Sequence, residues 1–93
     1  MLTIIVPVYN ERKYLSNILN KLTKIKIKKI QIIVVDDGSS DGSTEILKKK
    51  FLKNKKINKI IFHNQNSGKG SAIRSAQKYV KGEYVAIQDA DLE

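Results

Sequence analysis

Four short apolar runs, each giving way to polar or acidic residues, recur along the chain: "LTIIVPVY" (2–9), "IQIIVVD" (30–36), "INKIIFHN" (57–64) and "YVAIQD" (84–89). The first two are almost unbroken and rich in β-branched residues, the pattern of strands covered on both faces. Between the runs the period changes. Leu15, Ile18, Leu19 and Leu22 fall at i, i+3, i+4 and i+7, which predicts a helix from Glu11 to about Lys24. "GSSDGS" (38–43) has helix-start chemistry and predicts a helix from about Thr44 to Lys53, with Ile46, Leu47 and Phe51 inward. A third helix follows "QNSGKGS" (65–71), with Ala72, Ile73, Ala76, Tyr79 and Val80 on its apolar face and Gly82 closing it.

The order βαβαβαβ predicts an α/β fold, a parallel sheet of about four strands flanked by helices. In open sheets of this kind ligands bind beyond the carboxyl ends of the strands, where strand order reverses. Every unusual polar residue of the chain lies at such an end. "YNE" follows strand 1, "DDGSSDG" ends strand 2, "NQNSGKG" follows strand 3 and "DAD" ends strand 4. With strand order 3-2-1-4 the reversal falls between strands 1 and 4, which sets Tyr9 to Glu11 beside Asp89 and Asp91.

Composition narrows the setting. A chain of 93 residues is at most one small domain, and it buries only about 60–65% of the surface its unfolded form exposes. Without cysteine there is neither a disulfide framework nor a thiolate metal site, so a cytoplasmic setting is expected. The apolar start is too short and lacks the basic flank of a signal segment. No apolar run approaches the roughly 18 residues that span a bilayer. The net charge of +9 comes from sixteen lysines against two arginines, concentrated in "KIKIKK" (24–29) and "KKKFLKNKK" (48–56). Readers of nucleic acid favour arginine forks and stacked aromatics, both scarce here, so the runs read as solvated faces and no nucleic-acid partner is expected.

Each polar cluster has a structural and a functional reading. Asp41 and Ser43 suit a turn and a helix cap. Asp36 continues a buried strand, so it either meets a hydrogen-bonding partner or faces a cleft. "NSGKG" is neither a P-loop, since His63 and Gly70 stand where glycine and Ser/Thr belong, nor a dinucleotide fingerprint. It is either a cationic helix start suited to phosphate, through free N–H groups and Lys69, or a helix-start loop with an incidental lysine. Asp89 and Asp91, two apart in an extended segment, leave the same face. They can share a hard cation such as Mg²⁺ or Mn²⁺, and without a cation or a lysine partner their repulsion is destabilising.

Taken together, "IIVPVYNE", "VVDDGSSDGS", "NSGKGSAIRSA" and "QDADLE", in this order, resemble the N-terminal half of a family 2 glycosyltransferase with the Rossmann-like GT-A fold. The later part is most similar to polyprenyl-phosphate sugar transferases, such as dolichyl-phosphate mannose or glucose synthases. The resemblance implies a nucleotide-diphosphate sugar (a UDP- or GDP-sugar), a Mg²⁺ or Mn²⁺ ion, and inverting transfer to a polyprenyl phosphate or similar acceptor. It further implies that Pro7, Tyr9 and Glu11 line the nucleotide pocket, that Asp36 reads the base and that Lys69 lies near the nucleotide. Asp89 and Asp91 would hold the cation against the diphosphate, while Asp37 and Glu93 sit beside these motifs without a defined role. Residues 1–93 are then one nucleotide-sugar-binding region that stops after the D-x-D, where the family's acceptor half begins, so no catalytic residue is assigned. Three expectations follow: a membrane-surface association through a lipid-phosphate acceptor, self-association through the last strand's bare edge, and, as the alternative to transfer, nucleotide binding that needs a C-terminal half or partner for turnover.

Overall fold

The computed structural model describes residues 1–90. Strand β1 (Leu2–Val8), helix α1 (Arg12–Thr23), strand β2 (Ile30–Asp36), helix α2 (Ser43–Ile46), strand β3 (Lys59–Phe62), helix α3 (Lys69–Gln77) and strand β4 (Tyr84–Ile87) follow in that order. A single π-helical turn (Leu47–Phe51) continues α2. The strands form one parallel sheet in the order β3-β2-β1-β4, so the order reverses between β1 and β4.

The unbroken apolar runs have a direct cause: alternate residues of β1 and β2 are buried on opposite faces. Ile4, Val6, Val8, Ile32 and Val34 pack with Leu15, Ile18, Leu19 and Leu22 of α1 and with Leu47, Phe51 and Ile57. Ile5, Ile33 and Val35 pack against Ala72 and Ala76 of α3, whose small side chains let that helix lie close to the sheet.

Pro7 sits inside the central strand without breaking it. In a parallel strand the N–H groups point alternately to the two neighbours. Leu2 donates toward β2, to Lys29 O, so odd residues face β4. Pairing with β4 ends at Ile5↔Ile87, and the N–H that proline lacks would have had no strand to meet.

Several boundaries differ from the sequence expectation. β3 is shorter because Ile57 turns into the core and Asn58 takes over the ladder, its side-chain Oδ1 accepting from Ile32 N–H (2.9 Å) and its own N–H donating to Ile32 O. α3 ends at Gln77, so Tyr79 is outside the helix and exposed rather than on its apolar face. Gly82 does not close α3. It lets the chain enter β4 past Met1 and Thr3, where an added Cβ would stand 2.5 Å from Met1 O. Buried Thr3 and Gln31 fix that crossing: Thr3 Oγ1 donates to Gln31 Oε1 (2.8 Å), Gln31 Nε2 to Tyr79 O (2.7 Å), and the N–H groups of Lys81 and Gly82 to Gln31 Oε1 and Thr3 Oγ1. Among the described residues, no helix is long and apolar enough to cross a membrane.

Candidate functional site

At the carboxyl ends of the strands three loops meet, and the acids of the loop after β2 hold the other two. Asp41 caps two helix starts: its Oδ1 accepts from Ser43 N–H (3.0 Å) and Ser43 Oγ (2.7 Å), and its Oδ2 accepts from Arg12 N–H (3.1 Å) at the start of α1. Ser43 Oγ in turn accepts from Glu11 N–H (3.1 Å). Asn10, in the left-handed region at φ 51°, donates its N–H to Ser39 Oγ (3.0 Å) and accepts from Ser40 N–H (2.8 Å). α1 is therefore capped from another loop, so the cap expected of Asp41 and Ser43 also stitches "YNE" to "DDGSSDG".

Asp36 takes the first of its two expected alternatives. It is 1% exposed, and its oxygens accept from Ser39 N–H (3.1 Å) and from the Thr44 hydroxyl. Both partners lie in its own loop or at the start of α2. Asp37, 3% exposed, turns to the other side of the sheet. Its Oδ1 meets His63 Nδ1 (2.8 Å) and Ser67 N–H (3.0 Å), and its Oδ2 meets Gly68 N–H (2.8 Å) and Asn66 Nδ2 (3.2 Å). With the proton on Nδ1, His63 donates to Asp37 and its Nε2 accepts from Ser75 Oγ of α3 (2.8 Å). Burial is the largest single influence on the Asp37 carboxyl and pushes its pKa up. The hydrogen bonds from His63, Ser67 and Gly68 together outweigh it and hold the group below its ordinary 3.8. Asp41 is likewise held low, burial being outweighed by its bonds from Ser43 and Arg12.

The helix-start loop is thus not a vacant phosphate cradle. Two of its N–H groups, those of Ser67 and Gly68, already serve the Asp37 carboxylate. Its lysine is engaged as well: Lys69 Nζ lies 2.7 Å from Asp89 Oδ1, with both side chains about half exposed (55% and 52%).

A cavity of about 230 Å³ opens at the reversal between β1 and β4, lined by Pro7, Tyr9, Glu11, Asp37, Lys69 and Asp89, with Asn66 and Ala72 completing the α3 side. Five of the residues expected at a nucleotide site therefore share one wall: Pro7, Tyr9, Glu11, Lys69 and Asp89. Asp36 is not on it. Asp91 and Glu93 lie outside the described residues. A larger hollow of about 350 Å³ at the opposite end of the sheet is lined by Gln31, Asn58 and Tyr79, whose polar groups already hold α3, β2 and β4 in place. As a cation ligand, Asp89 offers a half-exposed carboxylate of the hard oxygen type that Mg²⁺ and Mn²⁺ take, and a cation arriving there would replace Lys69.

Sequence reasoning left Asp37 without a role and missed Asn66 on the cavity wall and His63 as the partner of Asp37. Strand parity was the available signal. Ile33 and Val35 face α3, so the next residue of that parity, Asp37, emerges on the α3 side with Pro7 and Tyr9, while Asp36 shares the α1 side with Ile32 and Val34.

Comparison with known proteins bears on the family and the fold. The sequence profile described as Glycosyl transferase family 2 matches residues 3–93. An undecaprenyl-phosphate 4-deoxy-4-formamido-L-arabinose transferase of Edwardsiella ictaluri is 36% identical over 94 residues, covering 98% of this chain and 29% of its own. The structure of S. aureus TarS 1-349 in complex with UDP superposes with a TM-score of 0.81 at 35% identity, over 97% of this chain and 27% of that one. A mannosyltransferase from Pyrobaculum calidifontis, in complex with GDP-Man and Mn²⁺, gives a TM-score of 0.85 at 27% identity over the same shares. The chain spans about 30% of the length of the curated relatives it matches. The parallel sheet in the order 3-2-1-4 is the Rossmann-like GT-A arrangement of these neighbours. Fold and sequence over nearly its whole length agree, and the chain belongs to the family 2 glycosyltransferases.

Proposed function

We propose that this chain binds a nucleotide-diphosphate sugar in the cavity between the ends of β1 and β4, as the donor region of an inverting transferase. The observation that carries the reading is the convergence of Glu11, Asp37, Lys69 and Asp89 on one 230 Å³ cavity at the strand-order reversal. The solved relatives with UDP and GDP-Man support a UDP- or GDP-sugar, and the one with Mn²⁺ supports a divalent cation. A polyprenyl phosphate or similar acceptor is supported by the undecaprenyl-phosphate transferase relatives. That acceptor would bring a cytoplasmic chain to the membrane surface.

Within this reading Pro7 and Tyr9 form the apolar wall, and Asp37 rather than Asp36 is the carboxylate at the cavity, where it fixes the loop that meets the nucleotide. Asp36 holds its own loop. Lys69 neutralises charge on the diphosphate. Asp89, together with Asp91, would hold Mg²⁺ or Mn²⁺, which when bound stabilises the charge that develops on the leaving diphosphate. Binding without transfer is the second reading. It is favoured by the engagement of the acids: Asp36 and Asp37 are spent on loop hydrogen bonds and Asp89 on Lys69.

The test is calorimetric titration of UDP and GDP with Mn²⁺ present into the wild type and Asp89→Asn. Loss of one charge-assisted ligand is expected to weaken binding about tenfold or more, roughly 1.5–3 kcal/mol. Equal affinity in the two proteins would remove Asp89 from the donor site. Sugar transfer or donor hydrolysis by the chain would remove the second reading.

A further inference from the structure

Lys69 is the one cation among the described residues lining the donor cavity, against the carboxylates of Glu11, Asp37 and Asp89. Asp37 has its oxygens turned to His63, Asn66 and two backbone N–H groups. The ammonium goes instead to Asp89, at 2.7 Å, across the reversal between α3 and β4. Both partners are half exposed, so the contact is neither buried nor enforced by packing. It is an ion pair that an incoming charge can open.

We infer that Lys69 is a built-in stand-in for the divalent cation: it occupies Asp89 while the cavity is empty and moves to the diphosphate when a nucleotide arrives, so that nucleotide and metal bind cooperatively. The inference rests on the donor-site reading above. The ammonium sits 2.7 Å from Asp89 Oδ1, so metal entering alone meets a positive charge beside its ligand and takes Oδ1 only by displacing it. A diphosphate entering alone competes for the same lysine. Each ligand therefore removes the obstacle to the other, and the coupling is reciprocal. The order also protects the site, because stray divalent cations are held weakly until a donor is present.

A partly exposed ion pair is worth little, which sets the size of the effect at about two- to fivefold in affinity. The experiment is titration of Mn²⁺ into the 93-residue chain, reading free Mn²⁺ by its electron paramagnetic resonance signal, with and without UDP or GDP. Lys69→Met is expected to tighten nucleotide-free Mn²⁺ binding about two- to fivefold while leaving Mn²⁺ affinity in the nucleotide-loaded chain little changed. Lys69→Arg keeps the pair and is expected to behave as the wild type. In an Asp89→Asn background, Lys69→Met is expected to do nothing. Unchanged nucleotide-free affinity in Lys69→Met overturns the inference. So does equal tightening in both nucleotide states, which is what simple removal of a nearby positive charge would give. A wild-type chain that retains no Mn²⁺ even with UDP or GDP overturns the donor-site reading itself, and the inference with it. Circular dichroism of the variants separates loss of fold from each outcome.

Discussion

A single carboxylate, Asp37, ties strand, loop and helix together, and its chemistry can be tested by pH. Replacing it with asparagine sets an amide NH₂ against donors already committed to an acceptor, His63 and the N–H groups of Ser67 and Gly68. The expected loss is about 2 kcal/mol of stability near neutral pH. The folded pKa lies below the ordinary 3.8, so the stabilising contribution is complete above that value and is lost as pH falls through the folded pKa. Urea unfolding of wild type and Asp37→Asn should therefore differ near about pH 7, and the gap should close as pH falls below 3.8 through the folded pKa. A gap independent of pH would mean that the charge is not the source. Asp36 and Asp37 also show how far single residues were legible. Only Asp36 read as an acid continuing a buried strand, and the alternation of side chains separates it, facing its own loop, from Asp37, which faces the cavity.

Strands and helices were legible because their periods are written in apolar residues. Leu15, Ile18, Leu19 and Leu22 are all buried as their spacing requires, and β2 runs over Ile30–Asp36 as its β-branched run predicts. The loops were read less fully, since their order comes from contacts between segments far apart in the chain. Capping of α1 by Asp41 and Ser43 and of the α3 start by Asp37 leaves no trace in the local pattern of either helix. Gly38 is where this matters most. At φ +74° it lies so close to the loop after β3 that an added Cβ would stand 2.5 Å from Gln65 C and 2.6 Å from Asn66 N. Gly38→Ala combines a left-handed backbone penalty with a clash against backbone, and is expected to destabilise by about 2–4 kcal/mol. Gly70→Ala meets only the Arg74 side chain, at 3.4 Å, and should cost little in stability. Chemical denaturation of the two variants provides the comparison, and equal losses would show that the two loops can separate freely.

Across the whole molecule, β4 carries an unresolved conflict between apolar surface and charge. In register with β1, Val85 and Ile87 share the face of Ile5, and Tyr84 and Ala86 that of Ile4, yet all four β4 residues are exposed and Tyr84 reaches 70%. The α3 layer stops over β1 and β2, so β4 presents two apolar faces as well as an unpaired edge among the described residues. Such an edge favours pairing with a second chain. Opposing this, a net charge of +9 repels like molecules over about 30 Å at an ionic strength of about 0.01 M and over only about 10 Å at about 0.1 M. The balance should depend on salt in a direction opposite to that of an ionic interface: screening removes the repulsion and leaves the apolar attraction. Sedimentation velocity is therefore expected to show the chain associating more strongly as salt rises, with Val85→Lys or Ile87→Lys restoring the monomer at every salt concentration. Dissociation on adding salt would place the contact on charged surface instead, and a monomer under all conditions would mean that β4 is too short to pair.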